Sequence, residues 1–267
     1  MIITAEEIYI SIESIRSKSP VVHNITNYVV MNNTANALLA IGASPVMAHA
    51  EEEVEDMVNI ASALVINIGT LSERWIRSMF KAAHQARKKG IPVILDPVGA
   101  GATAYRTKTA RELINNEPPT IIRGNASEIM ALYDDASRTK GVDSATSSDA
   151  AIDTAKTLSE IHKCVICVSG PTDYIIDKNN IIKIKNGHPL MSRVTGLGCT
   201  ASALCGAFAA AEKKPFIATV KAMALMGIAG EMAADISAGP GSLQTNFLDI
   251  LYRLKENDIK THLKIED

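Results

Sequence analysis

The feature that most limits the fold of this chain is an alternation. Short β-branched runs at 64–68, 92–95, 120–122 and 165–168 are separated by stretches of helical composition at 71–89, 104–115, 127–133 and 148–162. Strands that alternate with helices are joined by right-handed crossovers and pair in parallel, so an α/β protein with a mostly parallel sheet is expected. After Ser169 the pattern changes: residues 174–177 and 181–185 flank the polar turn Lys178-Asn179-Asn180 and predict a hairpin, hence an antiparallel edge. The remainder reads as helical, with starts near Cys199, Pro215 and Leu243, and the polar segment 134–148 reads as a loop. With 267 residues and no internal repeat, one domain spanning 1–267 is expected.

Composition narrows the function. A chain that is 47% hydrophobic and 21% charged, with a net charge of -2, fits neither a disordered segment nor a basic nucleic-acid surface. Aromatic residues make up only 4%, too few for base-stacking platforms. Glu6 and Glu7 interrupt what would have to be an export signal, and the apolar stretches 199–211 and 217–230 are too short for a membrane span or carry Lys221. A cytoplasmic protein without membrane or nucleic-acid partners is expected, its four cysteines free thiols. Cys164 and Cys167 form a C-x-x-C inside the run CVICVS; an odd separation on a strand sends the two thiols to opposite faces, which speaks against a metal or redox pair.

In an open parallel sheet, ligands bind beyond the carboxyl ends of the strands. Here four such ends carry chemistry: Asp96-Pro97-Val98-Gly99-Ala100-Gly101, Arg123-Gly124-Asn125-Ala126-Ser127-Glu128, Ser169-Gly170-Pro171-Thr172 and, past the hairpin, Thr195-Gly196-Leu197-Gly198-Cys199. Gly196 and Gly198 open a helix whose free N–H groups and dipole make an anion site. Asp96 and Glu128 suit magnesium held through water. Arg123 suits charge on phosphoryl oxygens. Each has a plainer reading: Asp96 starts an Asp-Pro turn, Asn125 and Glu128 make a capping box, and Arg123 is a solvated loop charge. Cys199 stands where a helix N-terminus lowers proton affinity, which would fit it as thiolate, base or nucleophile; a buried structural cysteine is the commoner case. Two loose matches to a dinucleotide-binding pattern, at Gly99 and Gly196, show how little that pattern proves; the first lacks an acidic residue at the expected distance, and the absence of any Gly-Lys pair excludes a P-loop.

Five segments together carry a resemblance: VHNITNYV at 22–29, GASPVM at 42–47, DPVGAGA at 96–102, GNASE at 124–128 and VTGLGC at 194–199. Across nearly its whole length the chain resembles the hydroxyethylthiazole kinases, the thiamine-salvage branch of the ribokinase-like family. The resemblance implies a three-layer α/β/α sandwich and transfer of the ATP γ-phosphoryl group to the hydroxyl of 4-methyl-5-(2-hydroxyethyl)thiazole. It places Asn27, Met47 and Gly196 against the thiazole, Arg123, Ser169 and Thr195 with ATP, and Asp96 and Glu128 with Mg2+. Gly198, Cys199 and Arg123 would serve the transfer itself. It also implies a homotrimer with sites between subunits. Related hydroxymethylpyrimidine and pyridoxal kinases usually carry Asp where this chain has Cys199, which favours the thiazole branch. A non-catalytic nucleotide sensor is a reading of a different class, and intact Asp96, Glu128, Gly198 and Cys199 argue against it.

Overall fold

The apolar runs fold as strands because their side chains alternate between two helical layers. The computed structural model describes residues 3–133 and 147–267. Its centre is one sheet of nine strands: β1 (Val21–Ile25), β2 (Ser44–Val46), β3 (Ala63–Asn67), β4 (Val93–Asp96), β5 (Ile121–Asn125), β6 (Val165–Ser169), β7 (Asp173–Asp177), β8 (Asn180–Ile184) and β9 (Ile265–Glu266). The order is β2-β1-β3-β4-β5-β6-β7-β8-β9. Strands β1 to β6 pair in parallel; β7, β8 and β9 are antiparallel, and Asp177 pairs with Asn180 across the expected hairpin.

Helices α1 (Ala5–Lys18), α2 (Met31–Ala40), α8 (Leu197–Ala211), α9 (Pro215–Asp235), α10 (Pro240–Arg253) and α11 (Glu256–His262) cover one face, packing on Val22, Val65, Ile94 and Ile121. Helices α3 (Val54–Ile60), α4 (Glu73–Lys89), α5 (Ala104–Asn116), α6 (Ala126–Leu132) and α7 (Ser147–His162) cover the other, packing on Leu64, Ile66, Leu95 and Ile122. Adjacent strand residues thus enter different cores, which is the period-two signature of a sheet buried on both sides. The expected α/β/α sandwich is present.

Strands β1, β2 and β9 and helices α1 to α3 escaped the sequence reading. His23 and Asn24 break the apolar run of β1, yet both are fully buried. Strand β2 is only three residues long and half-buried, and contains Pro45. Helix α8 starts at Leu197, two residues before the expected Cys199, and α10 starts at Pro240, before the expected Leu243, with proline in its first turn. Most of the expected loop 134–148, residues 134–146, lies outside the described residues. Cys164 and Cys167 do face different cores, and burial pushes the Cys164 thiol up to about 12 and that of Cys167 well above the usual range. Helix α9 has the length and hydropathy of a membrane span, but 83% of its apolar window is buried inside the fold. Its buried Lys221 is satisfied by Glu212 Oε2 and Ser11 Oγ, both at 3.0 Å.

Candidate active site

Because β1 and β3 to β6 run the same way, their carboxyl ends come out along one edge of the sheet. Asn27 follows β1, Asn67 closes β3, Asp96 closes β4, Arg123 lies within β5, and Ser169 closes β6. The N-terminus of α8 arrives at the same edge. Between them is a cleft of about 440 Å³. Asn27, Asp96, Arg123, Glu128, Ser169, Thr195, Gly196, Gly198 and Cys199 all line it. Met47 does not; it follows β2, the last strand on that side of the sheet.

The start of α8 is shaped for an anion. Gly196 caps the helix with a φ of 86°, and a β-carbon there would stand 2.7 Å from Val30 Cγ1, so both conformation and space require glycine. Thr200 N–H makes the first helical bond, to the Gly196 carbonyl at 2.8 Å, which leaves the N–H groups of 197–199 at the open end of the helix. A β-carbon on Gly198 would lie 3.1 Å from Arg123 Nη1, so the helix end and the guanidinium are packed against each other. Arg123 Nε is buried without a hydrogen-bond partner among the described residues. Ser169 Oγ donates to the Gly124 carbonyl at 3.2 Å.

The two carboxylates differ in environment. Asp96 is 1% exposed; Asn67 Nδ2 and Ser202 Oγ both donate to its Oδ2 at 2.8 Å. Burial pushes its carboxyl up to about 6, partly opposed by the nearby Arg123 charge. Glu128 closes the capping box foreseen in the sequence, its Oε2 accepting Asn125 N–H at 2.9 Å, while Oε1 accepts Gly99 N–H at 2.8 Å. The capping and the site readings of Glu128 therefore coexist: Oε2 caps α6 while Oε1 ties the Asp96–Gly101 loop to the cleft.

Cys199 departs from expectation. It is the one cysteine of the four that is not fully buried, yet partial burial, with the Asp96 charge second, pushes its thiol up to about 11 rather than down. Asn27 Nδ2 lies 3.4 Å from its sulfur. At neutral pH the group is a thiol, and the lowered proton affinity expected from the helix end is overridden.

Three residues here were missed in the sequence. Asn67 and Ser202 hold Asp96, and Arg106 donates to the carbonyls of Val98 (2.7 Å), Gly69 (2.7 Å) and Ile68 (3.3 Å), fastening the loops after β3 and β4 to each other. Only Asn67 left a trace, as an amide inside the otherwise apolar run 64–68.

Known proteins point the same way. A model of the "Hydroxyethylthiazole kinase family" matches residues 12–257. The hydroxyethylthiazole kinase of Syntrophus aciditrophicus (strain SB) is 62% identical over 99% of this chain and 98% of its own, and that of Leptospira biflexa is 60% identical over 94% of each. The structure of the hydroxyethylthiazole kinase from Pyrococcus horikoshii OT3 superposes with a TM-score of 0.91 at 43% identity, covering 98% of both chains. Staphylococcus aureus pyridoxal kinase in complex with pyridoxal, 14% identical over 92% of this chain and 97% of its own, shares the fold at a TM-score of 0.64. A ribokinase-like protein from Enterococcus faecalis V583, also 14% identical, does so at 0.63 over 90% of this chain and 89% of its own. With the sandwich, the open helix end beside Arg123 and this extent of identity in agreement, the chain belongs to the hydroxyethylthiazole kinase family.

Proposed function

We propose that the cleft transfers the γ-phosphoryl group of ATP to the primary alcohol of 4-methyl-5-(2-hydroxyethyl)thiazole, a thiamine-salvage reaction carried out by a single-domain cytoplasmic enzyme. The observation that carries this reading is the convergence of the open helix end at 197–199, the Arg123 guanidinium and the carboxylates Asp96 and Glu128 on one cleft. Phosphoryl transfer proceeds through a loose transition state, so positioning and neutralisation of the equatorial oxygens supply most of the rate. The N–H groups of 197–199 and Arg123 do this for the group in flight, with Ser169 and Thr195 on the nucleotide side. Asn27 and Gly196 orient the acceptor. Cys199, as a thiol beside Asn27, borders the alcohol, and the small thiolate fraction takes its proton late in transfer.

Asp96 and Glu128 fit magnesium held through water. The hydrogen bonds of Asp96 fall on Oδ2, and each Glu128 oxygen accepts one backbone N–H, so lone pairs on both carboxylates are available. Among the described residues no group of three or more potential ligands occurs, which suits an ion that keeps its water and binds phosphate rather than a protein cage. When bound, magnesium supplies charge neutralisation to the phosphate oxygens.

Met47 completes the acceptor site only across a subunit boundary. Its absence from the cleft of its own chain, and the exposure of Tyr28 (63%) and Val29 (66%) beside that cleft, support a subunit contact at this site, and the family resemblance supplies the homotrimer. The test of function is ADP release from Mg-ATP with and without the thiazole alcohol, with the product weighed by mass spectrometry. Thiazole-dependent ADP with a phosphorylated thiazole is expected. Turnover with only a pyrimidine or pyridoxal alcohol would overturn the substrate, and silence with all three would favour the sensor reading.

A further inference from the structure

Four hydrogen bonds run in one direction through the floor of the cleft. Val29 N–H donates to Asn27 Oδ1 at 3.1 Å, and Gly69 N–H donates to Asn67 Oδ1 at 2.9 Å. A backbone N–H is always a donor, so each bond fixes which end of its side-chain amide carries oxygen. With both orientations set, Asn27 Nδ2 must donate to Asn67 Oδ1 at 2.8 Å, and Asn67 Nδ2 must donate to Asp96 Oδ2 at 2.8 Å. The second hydrogen of Asn27 Nδ2 is the one facing Cys199 Sγ at 3.4 Å. The relay has little room to move. A β-carbon on Gly69 would stand 2.7 Å from Asn27 Nδ2, Arg106 pins the Gly69 carbonyl, and Asn67 is 1% exposed.

We infer that Asn67 is a positioning residue for phosphoryl transfer: its amide holds the Asn27 amide so that an N–H meets the Cys199 sulfur, and holds Asp96 Oδ2 at the same time. One side chain thereby keeps the acceptor side of the cleft and its anionic side in a single arrangement. Asn67 touches no substrate; it acts through Asn27 and Asp96, and its own amide adds a contribution at the Cys199 sulfur second to that of Asn27. The inference rests on the proposed function for its effect on turnover, but the relay itself does not depend on which alcohol is phosphorylated.

Two measurements test it on the full-length protein. The first is alkylation of Cys199 by iodoacetamide, read peptide by peptide, without ligands. Donation from Asn27 favours the reactive thiolate, so Asn67→Ala slows labelling of Cys199 severalfold, while the buried Cys164, Cys167 and Cys205 stay unlabelled and report that the fold is intact. Unchanged or faster labelling in a folded Asn67→Ala overturns the relay. The second is a double-mutant cycle in kcat/KM with Asn67→Ala and Asn27→Ala. If Asn67 works through Asn27, the two losses overlap, and the double variant is at least about tenfold more active than their product predicts. Losses that simply multiply also overturn the relay. Should Asn67→Ala not fold, Asn67→Ser, which keeps a short polar side chain but cannot span Asn27 and Asp96 together, takes its place in both measurements. Slowed labelling in a protein inactive on every alcohol would uphold the relay and remove the proposed function instead.

Discussion

Replacing Asp96 with asparagine should make the ligand-free protein more stable at neutral pH while abolishing turnover. The cause is the burial that pushes the Asp96 carboxyl from an ordinary 3.8 up to about 6. A group whose folded pKa is raised contributes its full stability below the unfolded value and loses it as pH rises through the folded one. For Asp96 the window is pH 3.8 to about 6; above it, ionising the buried carboxyl costs about 3 kcal/mol, from roughly 2 pKa units at 1.36 kcal/mol each. The amide of Asp96→Asn has nothing to ionise, and its carbonyl oxygen still accepts from Asn67 and Ser202. At pH 4 or below, wild type also carries a neutral group there, and Arg123 lacks a charged partner in both proteins. The difference between them should therefore be near zero at low pH and open to about 3 kcal/mol by pH 7. For a chain of this length that is about 5 °C in Tm. Thermal unfolding of both proteins in EDTA, without nucleotide, from pH 4 to pH 8 reads it directly. A stability difference that does not change with pH, or a less stable Asp96→Asn at pH 7, refutes the reasoning. Asp173, also raised to about 6 by burial, is present in both proteins and cancels.

Two more outcomes are expected. With the Cys199 thiol at about 11, turnover assisted by its thiolate rises about tenfold per pH unit between 7 and 9; Cys199→Ser lacks this rise and Cys199→Asp stays active without it, whereas a flat wild-type profile removes proton transfer from Cys199. Light scattering of the purified protein gives three chains per particle if sites are shared through Met47, and a monomer with full turnover refutes that arrangement.

The central strands β3 to β8 were legible because each is a short apolar run entering both cores. β1 was not, although it leads directly into Asn27 at the cleft. His23 and Asn24 look like loop residues until the fold supplies their surroundings: His23 Nε2 lies 2.8 Å from the Ala48 carbonyl, and Asn24 Nδ2 donates to the Val22 carbonyl at 2.8 Å. Polar residues in a buried strand defeat a pattern built on hydrophobicity, and such residues collect at functional edges. The same limit hid Ser202, one helical turn beyond Gly198, whose partner Asp96 lies 106 residues away in the chain. The candidate site residues at 96–101, 124–128 and 195–199 sit in glycine-rich loops and announce themselves. Groups that hold those groups in place are scattered, and only tertiary structure joins them.

Cys199 shows where a local argument reverses once magnitudes are compared. The field of a helix N-terminus stabilises a nearby anion by about 0.3–1 kcal/mol at exposed positions and ~2 kcal/mol at most. Moving a thiol from 9 up to about 11 corresponds to roughly 3 kcal/mol against the anion. Burial, reinforced by the Asp96 charge, therefore wins over the helix end. The sequence shows the helix end, because Gly196 and Gly198 mark it; it does not show the desolvation, which arises only from tertiary burial and outweighs the opposing hydrogen bonds of Asn27 and Asn67. What remains for Cys199 is a thiol that ionises only in small part at neutral pH, held at a fixed place beside Asn27. A loose transition state asks little more of it, since the alcohol need not be ionised before the phosphoryl group begins to move.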